Sequence, residues 1–429
     1  MFHKRVKILR KNFNLDKRDA ISFLICILLL QSSYFCFGQD IIQQKTIIGT
    51  SSADTVRRDS TRIQEAAPLD IADDRGLYIR TTDGKIQLRI LGSVRYLVVF
   101  DGLNLSSKNS FRTDEIPTGA LNKAFPNYYN GLDQTRLGFE VTRKTDKGDV
   151  FIRLETDFAG DNGFRIRHSY GQFDQFLFGQ TWSLFSHVNA LPAMVDFSGP
   201  TGSIIARTPQ LRYSVPKTFF GANVAVGLEY IIPNLTVPDS IAGQTFQLFP
   251  DITMRLDKVY PWGSVQLSGI IPMLSGRSFE DQLILKPGWG ISGSTVVNSW
   301  KNGKWYLQGV IGQAITRYFN DLSGIGSDVV IDPDGEIKSP LSVGLYGTYE
   351  HSWRQNIYSN FTAGWLHLQT YGFTEDFAYK KGYSFRVNTF WDLTEGAKIG
   401  GEAIWGNRVD NDRQKGNALR LNILFYYDF

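Results

Sequence analysis

The last eleven residues of the chain alternate between apolar and polar side chains and end on an aromatic residue. One set consists of Leu419, Leu421, Ile423, Phe425, Tyr427 and Phe429, and the other contains Arg420, Asn422 and Asp428. Because successive side chains of a β-strand point to opposite faces, this segment predicts a strand with one apolar and one polar face. Chain ends usually fray, so a regular terminal strand indicates that the end of the chain is fixed in a larger sheet.

The same alternation recurs along the chain, and 16 segments carry it. They are residues 85–100, 134–144, 149–159, 163–171, 173–186, 204–215, 219–232, 248–257, 262–272, 287–299, 304–317, 340–352, 356–370, 380–393, 396–409 and 416–429. Many are longer than the strands of soluble sheets and long enough for a tilted strand to cross a bilayer. Alternation alone also fits a soluble sandwich that buries the apolar set in a core.

The connections between these segments alternate in length, which separates the two folds. Tight turns occur at 144–148, 259–261, 301–303, 354–355 and 395, and longer polar stretches at 101–133, 187–203, 233–247, 273–286, 318–339 and 371–379. Short turns at one end and long loops at the other are typical of outer-membrane barrels. We therefore predict an all-β fold, a transmembrane antiparallel β-barrel of about 16 strands, over residues 75–429.

The N-terminus has the pattern of a signal peptide. Basic residues crowd its first part, and residues 21–30 form an apolar run that is too short for a membrane-spanning helix of about 20 residues. We predict a cleaved signal peptide at 1–38 and a mobile periplasmic segment at 39–74. Both cysteines would leave with the signal peptide, which excludes disulfides and cysteine-ligated metals. Removing its seven basic and two acidic residues changes the net charge from +4 to −1, which gives no support to nucleic-acid binding.

Arginine dominates the polar set of the early strands. The positions are Arg89, Arg95, Arg136, Arg153, Arg165, Arg167 and Arg212. Because neighbouring strands lie about 4.8 Å apart, these side chains are predicted to form a ladder on one wall of the lumen. Guanidinium groups suit carboxylate and phosphate oxygens, and rings of arginine select anions. In the alternative interpretation the arginines pair with Glu140, Glu155 and Asp157 and only fill the wall.

The stretch at 187–203 lacks a strand pattern and contains Pro192, Asp196 and Gly199-Pro200. One interpretation is a segment that folds into the lumen and sets the constriction, with Asp196 as an acidic partner across from the arginine ladder. The other is an external loop.

Residues 135–215 resemble the central block of the DcaP-like porin family. The resemblance rests on FRIRHSYG at 164–171, GQTWSLF at 179–185, VDFSGP at 195–200 and QLRY at 210–213. It implies a homotrimeric porin of the Gram-negative outer membrane that takes up small, often anionic solutes such as dicarboxylates. The matching basic positions are Arg165, Arg167, Arg207 and Arg212. Alternation places Arg207 on the lipid-facing set or leaves it in the preceding loop. The terminal Phe425, Tyr427 and Phe429 resemble the signal that the barrel-assembly machinery reads.

Other functions have little support in the residues. The five histidines show no metal-ligand spacing, and neither a G-x-S-x-G nor a P-loop motif occurs. A TonB-dependent transporter needs about 22 strands and a plug. We predict a passive porin for small anionic, carboxylate-type solutes, with no enzymatic activity, metal or cofactor, whose partners are outer-membrane lipid, the assembly machinery and two further copies of the chain. A general or sugar-selective channel, a barrel enzyme and an adhesin are alternatives.

Overall fold

The structure is a computed structural model that describes residues 75–429 except 104, 122–125, 161, 234–246, 278–282, 300 and 335. The predicted signal peptide at 1–38 and the segment at 39–74 lie outside the described residues. No helix in the described part of the chain is long and apolar enough to cross a membrane.

Sixteen antiparallel strands form one closed barrel, which confirms the predicted fold. They are β1 (Ile86–Asp101), β2 (Arg136–Thr145), β3 (Gly148–Asp157), β4 (Arg165–Phe173), β5 (Phe176–Trp182), β6 (Arg207–Ser214), β7 (Asn223–Glu229), β8 (Asp251–Tyr260), β9 (Gly263–Ile271), β10 (Trp289–Ser299), β11 (Gly303–Gln313), β12 (Leu341–Arg354), β13 (Ile357–Leu368), β14 (Tyr379–Thr394), β15 (Ala397–Asp410) and β16 (Lys415–Asp428). Each strand pairs with its neighbours in sequence, and β1 closes the ring by pairing with both β2 and β16.

The terminal aromatic residue lies at this closure. The backbone N–H of Phe429 donates to the carbonyl of Gly92 at 2.9 Å, and the N–H of Gly92 donates back at 3.0 Å. The ring of Phe429 covers Gly92 so closely that a Cβ there would lie 2.2 Å from it. The end of the chain is therefore fixed in the sheet, as the alternation predicts.

Burial along the strands follows the predicted alternation. In β16 the side chains of Arg420, Asn422 and Leu424 are buried, whereas Phe425 and Tyr427 are 43% and 51% exposed. The polar set therefore faces the interior and most of the apolar set faces outward. Many large apolar side chains are exposed on the outward set, and some pack across strands, as the rings of Tyr96 and Phe425 do with centroids 6.5 Å apart. The outer surface therefore carries an apolar band.

Short additional elements lie between the strands. Leu77–Arg80 and Asn127–Gly131 pair with β1, and two small hairpins join Met273–Arg277 to Leu283–Pro287 and Val330–Ile331 to Ile337–Lys338. Single 3-10 turns cover Thr113–Glu115, Gly119–Leu121, Val188–Ala190 and Thr316–Tyr318.

Several strand boundaries differ from prediction. β5 ends at Trp182 rather than 186, β6 begins at Arg207 rather than 204, and β11 ends at Gln313 rather than 317. At each of these ends the chain turns into the barrel, where side chains on both faces find apolar partners. The expected alternation is therefore lost before the sequence becomes polar.

Candidate functional site: an arginine-lined interior

The arginine wall is defined as the inward-facing Arg89, Arg95, Arg136, Arg153, Arg165, Arg167 and Arg212 of β1–β4 and β6. Alternation places all seven residues inside, and a β-bulge turns one further residue of β4 inward. The register of β3 against β4 shifts between Glu155 and Thr156, so that Glu155 pairs with His168 while Thr156 pairs with Ile166. The extra residue, Arg167, is buried like its neighbour His168. The bulge thus turns His168 inward beside Arg167, whereas strict alternation would turn His168 outward.

Five of these arginines share three carboxylates. Glu140 contacts Arg89 and Arg153, Glu155 contacts Arg136, Arg153 and Arg167, and Asp157 contacts Arg165 and Arg167, at distances of 2.5–3.8 Å. The pairing with Glu140, Glu155 and Asp157 is the one expected if the arginines fill the wall. Among the described residues, five guanidinium groups therefore contact these three carboxylates.

Exposure differs strongly within the network. The Arg165 side chain is 38% exposed and that of Arg153 is 14% exposed, whereas Arg167 is 3% exposed and bridges Glu155 and Asp157 at 2.9 Å each. A buried guanidinium between two carboxylates serves mainly to neutralise them. Arg165 and Arg153 are therefore the least buried members of the network.

The remaining sequence-predicted arginines lie outside this network. Arg95 lies at the closure beside Asp428, at 3.8 Å, and Arg212 donates to the carbonyl of Trp182 at 2.6 Å. Arg207 is the first residue of β6, and its Cζ lies 3.7 Å from the ring centroid of Trp182. Trp182 is buried against Tyr346 of the opposite wall, so Arg207 reaches the interior although alternation assigns it to the outward set. The phase fails here because the strand ends.

The infolded segment, residues 183–206, lies inside the barrel against β7–β15. Most of its residues are buried. The Ala193 carbonyl accepts hydrogen bonds from Asn360 and Asn388 at 3.1 and 2.9 Å, and the Ala190 carbonyl accepts one from Tyr346 at 2.9 Å. These bonds satisfy carbonyl groups that a buried irregular segment would otherwise leave unpaired.

Small residues on the inner face of β7–β15 make room for this segment. Two glycines show the close approach: a Cβ at Gly344 would lie 2.3 Å from the Gly202 carbonyl oxygen, and one at Gly364 would lie 2.3 Å from that of Thr201. Any side chain at either position would displace the segment. The glycine wall is defined by Gly227, Gly290, Gly344, Gly364 and Gly400, all of which contact the infolded segment.

The tip of the infolded segment reaches both walls. The ring of Phe197 lies 5.0 Å from the Cζ of Arg165 and 5.9 Å from that of Arg167. The sequence predicts that Asp196 faces the arginine ladder. Its carboxylate instead lies 3.3 Å from Arg420 and 3.9 Å from Arg386 on β16 and β14, because the adjacent residue Phe197 takes the position facing the ladder.

Sequence reasoning missed the residues that hold this tip. Arg386 and Arg420 are almost fully buried, Arg420 is also paired with Asp101, and Glu402 accepts the backbone N–H of Asp196 at 2.7 Å. All three are charged residues at inward positions of late strands. Their inward positions could have been read from the sequence. Their shared partner, Asp196, could not, because it belongs to a segment far away in the chain.

Two further connections also fold inward, although the sequence analysis treats them as polar outer loops. Phe111 and Phe319 are completely buried. Asp321 accepts hydrogen bonds from the backbone and hydroxyl of Thr113 at 2.9 and 2.8 Å and from Thr201 at 3.4 Å. Three segments therefore meet at Asp321. The apolar residues at 103–116 and 315–322 were the available signal.

Asp114 lies in the first of these connections. Burial raises its pKa to about 6, although its bidentate partner Arg112, at 2.7 and 3.0 Å, favours the charged form. The free-energy cost of removing the carboxylate from water is larger than the stabilisation that the Arg112 guanidinium gives to the charged form.

The family model for the DcaP outer membrane protein matches residues 77–429. The chain belongs to this family. The DcaP match covers the whole barrel and agrees with the resemblance of residues 135–215, and it assigns the protein to the outer membrane of Gram-negative bacteria. The apolar outer band is thus the surface that faces lipid. The comparison with curated proteins found no match.

Solved structures show the same fold as this DcaP family member. The outer-membrane channel DcaP of Acinetobacter baumannii is 21% identical, with a TM-score of 0.70, and the match covers 82% of this chain and 99% of that one. The anion-selective porin from Comamonas acidovorans is 11% identical, with a TM-score of 0.55, covering 80% and 100%. The trimer form of OmpT of Vibrio cholerae is 10% identical, with a TM-score of 0.50, covering 80% and 100%. At these identities the likeness shows the porin fold.

Groups of three or more His, Cys, Asp or Glu side chains with metal-site geometry do not occur in the described part of the chain. His168 bonds the hydroxyl of Thr181 at 3.0 Å and packs edge-on against Trp182. The next residue, Ser169, is exposed on the outer face.

Proposed function

We propose that this porin is a passive channel for small anions of the carboxylate type. The pore would lie between the arginine wall and the infolded segment, which would act as its constriction. The main support is the network in which five arginines share three carboxylates while the side chain of Arg165 stays 38% exposed. Exposed guanidinium groups bind carboxylates through parallel hydrogen bonds, and a partly neutralised network keeps the binding weak enough for release.

The infolded segment supports the position of the constriction. Because it is bonded to β7–β15 over most of its length, it would narrow the barrel mainly from that side. Its tip brings Phe197 to the arginine wall at Arg165. A solute that passes there would meet the ring of Phe197 and the guanidinium of Arg165 side by side. We also propose a homotrimer, since the OmpT structure to which the fold is similar is described as a trimer form. Light scattering of the detergent-solubilised protein tests this; a monomer mass would exclude the trimer.

We propose no catalytic role. The histidine and serine that are adjacent in sequence, His168 and Ser169, lie on opposite faces of β4 and so do not form a nucleophile and base pair.

Planar-bilayer recordings in a salt gradient test the proposed selectivity. The wild-type reversal potential should show preference for the anion. Arg165→Ala should lower the anion-to-cation permeability ratio by about two- to fivefold, since one charge within roughly 6 Å of the path contributes on the order of 1 kcal/mol before screening. Arg165→Lys should restore most of the ratio, and Arg143→Ala, on the outward-facing set of β2, is the matched control.

A cation preference of the wild type, or an unchanged ratio in Arg165→Ala, would contradict anion selection by this wall. Arg167→Ala separates the two roles. It should destabilise the barrel by about 3 kcal/mol in urea titrations, because Glu155 and Asp157 lose a shared partner in a buried site.

A further inference from the structure

The turn between β6 and β7 differs from a simple hairpin connection. Phe219 and Ala222 exchange two backbone hydrogen bonds at 2.8 and 2.9 Å around the central residues Phe220 and Gly221. Both central residues have positive φ, +50° and +74°. This is the type I′ pattern, in which Asn-Gly is the preferred pair. A bulky aromatic residue at positive φ is strained, so the turn geometry does not account for Phe220.

Phe220 is also unusually exposed. Its exposure of 86% is the highest among the large hydrophobic side chains of the described residues, and Phe219 is 60% exposed. The two rings lie 4.5 Å apart, edge to face, and form one apolar knob. Among the described residues nothing covers most of this knob.

Neighbouring residues show in which direction the knob points. Lys258 belongs to the outward-facing set of β8, and its Nζ donates to the Phe220 carbonyl at 2.9 Å. The same Nζ lies 5.1 Å from the ring centroid of Tyr260, which stacks on Trp262 at 5.0 Å. The turn therefore leans over the outer surface of the barrel, next to the apolar band, rather than over the mouth of the pore.

We propose that residues 219–222 form an interfacial anchor that inserts Phe219 and Phe220 into the phospholipid leaflet at this end of the barrel. Lys217 and Lys258 would approach the phosphates. Phospholipid is the expected partner for two reasons. The apolar rings would insert among the acyl chains, and the ammonium groups of the lysines would contact the anionic headgroups. Tyrosine and tryptophan, here the stacked Tyr260 and Trp262, are the residue types enriched at the membrane–water interface. The anchor also continues the lipid-facing band. It depends on the membrane location and not on the anion selectivity of the pore.

A second turn at the same end provides the matched comparison. The turn between β2 and β3 is exposed and charged, with Lys144, Asp146, Lys147 and Asp149, and has no aromatic residue. We expect this turn to lie in water. The two turns therefore lie at the same end of the barrel but differ in chemistry.

The experiment places an environment-sensitive fluorophore on each turn. Cys26 and Cys36 are the only cysteines of the chain. After both are replaced by serine, Phe220→Cys and Asp146→Cys each carry one NBD label. The proteins are inserted into vesicles of phosphatidylethanolamine and phosphatidylglycerol, and heat-dependent gel migration identifies the folded barrels. Aqueous iodide and lipids spin-labelled near the headgroup end of the acyl chain then serve as separate quenchers.

The label at 220 should emit at shorter wavelength than the label at 146 and be quenched at least about threefold more by the spin-labelled lipid, with the reverse order for iodide. In the Lys258→Glu background the lipid quenching at 220 should fall. Equal iodide quenching at the two positions overturns the proposal. Protection of position 220 from both quenchers also overturns it, because the knob would then be covered by protein.

Discussion

The two inner walls of the barrel share the same strand geometry but fill the space inside it differently. The arginine wall on β1–β6 carries long charged side chains that pair with one another across strands. The glycine wall on β7–β15 carries small residues, and a segment of backbone takes the place of the missing side chains. An inward position can thus be filled by a side chain of its own strand or by a distant segment. On the arginine wall the side chain of Arg165 stays partly exposed. On the glycine wall the infolded segment is held in place inside the barrel.

The closest approach on the glycine wall predicts the largest effect. Gly364→Leu places a side chain where the Thr201 carbonyl oxygen lies, 2.3 Å from the Cβ position. We expect a loss of roughly 3 kcal/mol or more in the free energy of unfolding in urea, together with altered conductance, because the segment cannot stay on the wall. Gly401→Leu is the control, since a Cβ there meets nothing within 4 Å. Equal stability of the two variants would show that the glycine wall does not hold the segment.

The tip of the infolded segment predicts an intermediate effect. Asp196→Asn removes the negative charge beside Arg420 and Arg386 but keeps a side chain of the same size. We expect a loss of about 2 kcal/mol in the free energy of unfolding, since Arg420 retains Asp101 while Arg386 is left less well compensated. Noisier single-channel currents should accompany it. A variant as stable and as quiet as the wild type would indicate that the small-residue contacts alone fix the segment.

The smallest expected effect is a pH-dependent change in stability from Asp114, which lies in the inward-folded connection between β1 and β2. Burial raises the pKa of Asp114 from 3.8 to about 6, so the folded state binds a proton that the unfolded state does not. Stability therefore rises as the pH falls from 7 to 5, by about 1 kcal/mol, and this gain is lost as the pH rises through 6. Hydrogen exchange of residues 105–116, corrected for the intrinsic rate, should slow accordingly. In Asp114→Asn the change should vanish, whereas the exposed Asp146→Asn should retain it.

The sequence predicted the number and order of the strands because the membrane imposes the same period on all of them. Each strand needs an apolar outward set, and each tight turn needs a few polar residues, so both signals are local. Strand ends were predicted less well. β5 and β6 lose their alternation where the chain enters the interior, and Arg207 illustrates the result, since its phase is outward and its guanidinium lies on the buried Trp182.

The candidate site was predictable in part. The arginines of β1–β4 followed from phase alone, whereas the bulge at Glu155, which turns His168 inward beside Arg167, did not. The partners of Asp196 did not follow, because Arg386 and Arg420 come from strands about 190 and 220 residues away, and only closure of the barrel brings them to the tip.

By itself the sequence determined the barrel, its strand number, the face of most inward side chains and the excess of arginine on the early strands, because these depend on residues that are neighbours in the chain or alternate along one strand. Only the tertiary structure decided which arginines are neutralised, which keep exposed surface, and which wall accepts the infolded segment. Those outcomes depend on distances across the interior. The sequence alone does not show why a glycine occupies an inward position. The reason appears only when the backbone that packs against that glycine is known.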